Sequence, residues 1–269
     1  MPELPEVEVT RRGLAPQLAG RVITGVKVRE PRLRWPVPRA VRRLAGQAIR
    51  SIKRRGKYLL VDCGSGHLIL HLGMSGSLRL VPPGTPAGKH DHFDLLLGDR
   101  ILRLRDPRRF GAVLWTAEPL ESHRLLAPLG LEPLSRALDP LRLRNLARAH
   151  RTAVKQFLMD ARRIAGVGNI YANESLFRAG IDPRTPANRL SIDECRKLVS
   201  AIKRTLRAAI RAGGSSLRDF VAVNGRSGYF QNRYWVYGRE GEACRRCRAP
   251  VRRIVQGQRS TFYCPRCQR

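Results

Sequence analysis

The chain runs to 269 residues with 52 Lys and Arg against 21 Asp and Glu, a formal charge of +31, and is 42% hydrophobic. Apolar residues spread along nearly the whole length exclude a disordered chain, and no run approaches the ~18 to 20 uninterrupted apolar residues of a membrane span. A surface this positive repels itself unless a polyanion neutralises it, so nucleic acid is the first partner class and an anionic membrane surface a distant second.

Leu4, Val7, Leu14 and Leu18 recur at helical intervals and predict a helix over 3–19. Short apolar runs follow at 22–28, 49–53, 58–63, 68–72, 78–81, 93–97, 101–104 and 112–115, punctuated by Gly, Pro and Asp as in a β-sandwich or barrel. The Pro- and Gly-rich stretch 81–88 reads as an exposed loop. Past residue 134 the pattern turns helical, with candidates at 139–149, 152–160, 169–179 and 191–211. Ser191 and Glu194 make a capping box for the last of these, and Gly213-Gly214 ends it. A polar stretch over 215–233, with a mobile-loop candidate at 224–230, leads into a cysteine-rich end. The class is therefore α+β, divided as 1–134, 135–234 and 235–269.

Six cysteines fall into two kinds. Cys63 sits in a strand pattern and Cys195 in a helical one, each an inert buried thiol. Cys244-x2-Cys247, sixteen intervening residues and Cys264-x2-Cys267 have the spacing of a tetrahedral four-thiolate Zn2+ site closed by a β-hairpin. Two redox dithiols are the bland alternative. From Arg239 to Arg269 nine Arg stand against two Glu, a net +7, and the hairpin tip carries Arg259, whose guanidinium can clamp a phosphate. A solvated basic face would look the same.

The stretch Arg162-Arg-Ile-Ala-Gly-Val-Gly-Asn-Ile-Tyr171 offers a helix N-terminus and the Asn169 amide to an anion, although a ligand-free helical turn needs the same glycines. Phe110, beside Arg108 and Arg109, is either a wedge for a base stack or a buried strand anchor. Removal of Met1 would leave Pro2 as a secondary amine able to form a Schiff base with a sugar aldehyde carbon, with Glu3 and Glu6 close by to exchange protons. The acidic opening has neither the basic nor the apolar part of a signal peptide, so a soluble, cytoplasmic protein is expected.

Several motifs recur together: Met1-Pro-Glu-Leu-Pro-Glu-Val-Glu8, Arg55-Gly-Lys-Tyr-Leu-Leu60, His71-Leu-Gly-Met-Ser-Gly-Ser77 and Asp106-Pro-Arg-Arg-Phe-Gly111. Gly166-Val-Gly-Asn-Ile-Tyr-Ala172, Gly228-Tyr-Phe-Gln231, Val236-Tyr-Gly-Arg239 and the cysteine hairpin follow. In this order, over the whole chain, they resemble the bacterial formamidopyrimidine-DNA glycosylase family. The resemblance implies an N-terminal helix on a β-sandwich, a helix–two-turn–helix domain and a C-terminal zinc finger. It implies Pro2 as nucleophile, Glu3 as proton-transfer carboxylate, Glu6 as a supporting acid, and Lys57, Asn169 and Arg259 as phosphate clamps, Lys57 being grouped with the catalytic pair. Met74, Arg108 and Phe110 would fill the gap left by a flipped nucleotide, and Glu6, His90 and Lys155 join the DNA-contact set.

The implied activity is excision of oxidised purines, 8-oxoguanine and formamidopyrimidines, from duplex DNA, followed by β,δ-elimination. The implied species is a monomer with one structural zinc, working at the nucleoid. Leu4, the Met74/Arg108/Phe110 set and the 215–231 loop resemble the purine-lesion branch rather than the endonuclease VIII branch, which prefers oxidised pyrimidines. A non-catalytic zinc-ribbon nucleic-acid binder is the rival from another class. Ser215, Ser216 and Phe220 stand where the family leads one to expect Thr and Tyr, and Ala161 where an amide is usual.

Overall fold

The computed structural model describes residues 2–215 and 228–269. Met1, Ser216, Phe220 and most of the 224–230 stretch lie outside the described residues. The chain divides into two compact units, Met1–Ala127 with Ala212–Gln231, and Pro128–Arg211 with Asn232–Arg269. The segment expected at the end of the helical domain thus belongs to the sandwich unit, and the zinc hairpin shares a unit with the helices.

In the first unit, α1 (Leu4–Leu18) starts at Glu3, with Pro5 in its first turn where no intrahelical donor is needed. Eight strands follow: β1 (Gly25–Val28), β2 (Ser51–Arg55), β3 (Tyr58–Asp62), β4 (His67–His71), β5 (Ser77–Val81), β6 (Asp91–Leu96), β7 (Ile101–Arg105) and β8 (Ala112–Thr116). They pair antiparallel into two four-stranded sheets, β1-β6-β7-β5 and β2-β3-β4-β8. Period-two alternation selects the inner face: Leu59, Val61, Leu68, Leu70 and Val113 share one core with Phe93, Leu95, Leu102, Leu104 and α1's Val7, Leu14 and Leu18. Each such burial stabilises by about 1.5–3 kcal/mol. Leu60, Ile69 and Leu114 alternate to the outer face and are buried there too, which is why these strands appear as unbroken apolar runs. One bulge interrupts β6 between Asp91 and Phe93, leaving His92 outside the ladder.

The second unit holds α2 (Pro140–Arg148), α3 (Val154–Met159), α4 (Asn169–Ala179), α5 (Ile192–Arg211) and the antiparallel hairpin β9 (Arg252–Gln256) and β10 (Arg259–Tyr263). Asp139 caps α2, its side chain accepting from Arg142 N, and Ser191 and Glu194 form the expected box at the start of α5. Cys195, Leu198, Ile202, Leu206 and Ala209 make the buried stripe of α5. Burial pushes the Cys195 and Cys63 thiols up to about 11, which makes both inert at neutral pH. Among the described residues no helix is long and apolar enough to cross a membrane.

Candidate functional site

Pro2, Glu3 and Glu6 are all buried at the start of α1. Glu6 Oε2 accepts the Glu3 N–H at 2.8 Å, and Glu6 Oε1 accepts the Ser215 N–H at 2.8 Å. The carboxylate thus ties the residue-3 backbone to a return segment whose flanks are paired, Ser215 bridging Tyr229 and Phe230 N donating to Gly214 O. Gly214 lies at φ +83°, and a Cβ there would sit 3.1 Å from Glu6 Oε1, so the position demands glycine twice over. The resemblance places Glu6 among the DNA contacts. Its two oxygens each accept a backbone N–H, as a 2% exposed carboxylate must have its acceptors met from within.

Two residues on, Glu8 binds Arg11 at 2.9 Å, Arg12 at 2.9 Å and Arg54 at 3.2 Å. Burial alone would raise its carboxyl, but hydrogen bonds from Arg11 and Arg12 and the charges of Arg11 and Arg54 hold it at about 2. Arg54 also donates to Gly56 O at 2.9 Å, fixing the two-residue turn between β2 and β3 that presents the half-buried Lys57. Arg55 pairs with Tyr58 across that turn, and Gly56 supplies the φ of +55° it requires.

His71 lies in a cationic neighbourhood that includes Lys57. Burial first, then Lys57 and Arg34, push His71 down to about 3, so it is a neutral imidazole at pH 7. Its Nδ1 accepts the Gly73 N–H at 3.0 Å, and its ring lies 4.9 Å from that of Tyr58. Gly73, at φ +61°, brings the turn carrying Met74 against the next loop; a Cβ there would lie 2.3 Å from the Phe110 carbonyl carbon. Phe110 is 44% exposed with the Arg108 guanidinium 5.1 Å above its ring. An aromatic this open is no strand anchor. Beneath it, buried Asp106 accepts from Ser75 Oγ at 2.8 Å and from Gly111 N at 2.7 Å. Its N–H donates to the carbonyl of half-buried His90 at 2.9 Å. Met74, Arg108, Phe110 and His90 therefore come from segments that meet at one residue.

In the second unit, Asn169 opens α4 and its Nδ2 donates to Ser260 O at 3.0 Å. Asn173, one turn later, accepts from Phe262 N at 2.7 Å. Arg259 is exposed at the start of β10, after a Gly257-Gln258 turn with φ of +53° and +59°. Lys155, expected among the DNA contacts, is braced within the protein. It is 0% exposed, and its ammonium donates to Ser260 O at 3.0 Å and Thr261 Oγ1 at 2.6 Å, bracing the hairpin that carries Arg259. A long cation in the first turn of α3 carries no sequence mark that separates a brace from a clamp. Glu174 escapes sequence reasoning altogether. Fully buried, it accepts the N–H groups of Trp235, Val236 and Tyr237 at 2.9–3.0 Å; burial still raises its carboxyl against those bonds and Arg178.

The four hairpin cysteines place their sulfurs within 4.8 Å of one another. Arg246 N–H points at Cys244 Sγ at 3.4 Å, the backbone-to-sulfur bond expected beside a bound thiolate. Four convergent soft donors leave no position open to water, so the set fits one structural Zn2+. Phe177, Val236 and Val251 pack with Cys244 and Cys264 in a small core around it.

Family models match three stretches: the formamidopyrimidine-DNA glycosylase N-terminal domain over residues 1–113, its H2TH domain over 129–221, and the zinc finger found in FPG and IleRS over 241–269. The formamidopyrimidine-DNA glycosylase of Herminiimonas arsenicoxydans is 57% identical over 273 residues, and that of Aromatoleum aromaticum 58% over 270, each covering 100% of both chains. Among solved structures, the MutM (Fpg) protein of Thermus thermophilus superimposes with a TM-score of 0.90 at 40% identity, covering 99% of this chain and 98% of that one. Lactococcus lactis Fpg in complex with abasic-site DNA gives a TM-score of 0.92 at 35% identity and 100% coverage of both chains.

Proposed function

The chain belongs to the formamidopyrimidine-DNA glycosylase family, DNA glycosylases and abasic-site lyases of base excision repair, and from that premise we propose which of its residues carry the reaction. With Met1 removed, the Pro2 nitrogen is a secondary amine held beside Glu3 at the head of α1. It attacks C1′ of a flipped oxidised purine nucleotide while the glycosidic bond breaks and the base departs with the bonding pair. The nitrogen gives up its proton, Glu3 protonates O4′, and the opened sugar becomes an iminium. Loss of the C2′ proton expels the 3′ phosphate, and a second elimination expels the 5′ phosphate. Lys57, Asn169 and Arg259 would neutralise or bind the phosphates on either side, while Met74, Arg108 and Phe110 occupy the vacated stack.

The observation that carries this reading is the pinning of Glu3's backbone by Glu6, which fixes the residue that follows the nucleophile. The preference for purine lesions is supported by the Lactococcus lactis relatives, whose structures contain Fapy-dG DNA. A DNA repair enzyme of this kind works in the cytoplasm at the nucleoid. Borohydride trapping on duplexes carrying 8-oxoguanine or thymine glycol tests it. Processed protein should form a covalent adduct at the residue-2 nitrogen, with 8-oxoguanine preferred. Protein retaining Met1 has a tertiary amide there and should form none. An adduct on Lys57, or normal excision with Met1 in place, would overturn the mechanism.

A further inference from the structure

Asp106 has no part in that chemistry, yet it is a fully buried carboxylate with no cation paired to it among the described residues. Such a charge is costly unless hydrogen bonds satisfy it, and here every bond runs to a segment bearing a gap-filling or DNA-contacting side chain. Oδ1 accepts from Ser75, the neighbour of Met74; Oδ2 accepts from the N–H of Gly111, the neighbour of Phe110. Ser75 Oγ in turn accepts the Arg108 N–H at 3.2 Å. The Asp106 carbonyl accepts from Arg109 N at 3.2 Å and meets His92 Nε2 at 2.8 Å, the side chain released from the ladder by the β6 bulge.

Resting on the reading of Met74, Arg108 and Phe110 as gap-fillers, we propose that Asp106, acting through Ser75, is a positioning residue that locks their two turns into one rigid wedge. The three side chains then enter the duplex as a unit. Without the lock each would order separately at the moment of flipping, and the entropy of ordering them would be charged against lesion binding. Gly73 permits the lock, since only a residue without Cβ lets the Met74 turn lie against the Phe110 carbonyl.

The test is binding, measured in Glu3→Gln protein so that nothing turns over, to a duplex with 8-oxoguanine opposite cytosine and to one with an abasic-site analogue. Ser75→Ala removes the donor to Asp106 and the acceptor for Arg108 without touching any wedge side chain. It should weaken lesion-duplex binding by about tenfold, the scale of a lost hydrogen bond to a buried charge, and abasic-duplex binding far less. In a Phe110→Ala background the same change should alter the preference between duplexes by about twofold or less, because the wedge it organises is already gone. Asp106→Asn should retain most of the preference, its amide donating to Ser75 Oγ while its oxygen accepts from Gly111. Should Ser75→Ala fail to melt cooperatively, Ser75→Cys carries the same comparison. Equal losses on both duplexes, or full additivity with Phe110→Ala, would overturn the lock. If Phe110→Ala alone leaves the preference unchanged, the gap-filling reading itself falls, a signature distinct from additivity.

Discussion

Two carboxylates two residues apart on α1 hold different things: Glu6 holds backbone, Glu8 holds three guanidinium groups. Glu6→Gln presents an amide NH2 toward an N–H donor, so one of its two bonds is lost at a cost of about 1–3 kcal/mol. Schiff-base trapping on abasic DNA should slow accordingly, read as the single-turnover trapping rate. Glu8 and His71 both make the sandwich acid-sensitive, in different windows. The His71 pKa falls from 6.5 to about 3 on folding, so its contribution is full above pH 6.5 and is lost as pH falls toward 3. The Glu8 carboxyl falls from 4.5 to about 2, so its contribution is full above pH 4.5 and is lost as pH falls toward 2. Urea melts across pH should show His71→Asn flattening the upper part of the curve and Glu8→Gln the lower part.

At the level of elements, all eight strands of the sandwich and the long helices were legible because their apolar periods are strong and their ends carry Gly, Pro, Ser or Asp. The 3-10 segment Arg39–Leu44 was not, since only Val41 and Leu44 are buried in it and two positions make no period. The β6 bulge was equally hidden, as a bulge is one extra residue and leaves the alternation almost intact. The candidate site divides the same way. The cysteine spacing announces its chemistry locally and the Pro2-Glu3 opening suggests one through the family resemblance, whereas Lys155 and Glu174 find their partners far along the chain. Lys155→Met should therefore act on folding as well as binding. It leaves Ser260 O and Thr261 Oγ1 without that donor and should destabilise the second unit by about 1–3 kcal/mol in urea. DNA affinity should drop with it. Chelation or Cys244→Ser should unfold the hairpin and displace Arg259 while the sandwich keeps its circular-dichroism signature; full DNA affinity in demonstrably metal-free protein would contradict this.

For the molecule as a whole, charge sets the terms of association. Most of the 45 Arg left after subtracting 7 Lys from 52 basic residues exceed what 21 acids can pair, so binding to DNA should fall steeply with salt through counterion release. Arg259→Ala should weaken binding to damaged and undamaged duplexes alike and reduce the log–log salt slope by about 1, whereas Phe110→Ala should leave the slope unchanged and penalise damaged duplex. An unchanged slope for Arg259→Ala would remove it from the phosphate clamps.

The hydrogen bond from Ser215 to Glu6 joins residues 209 positions apart. A ribosome adding about 5–20 residues per second needs roughly 10–40 s to make that span, and throughout that interval the carboxylate that seats the head of α1 lacks its later partner. Residues 2–6 thus emerge long before the segment that ties Glu6 down exists. On the proposed reading of Pro2 as the nucleophile, removal of Met1 has that whole interval in which to unmask the secondary amine. Synthesis order and bond order coincide: the head of α1 is made first and tied down late.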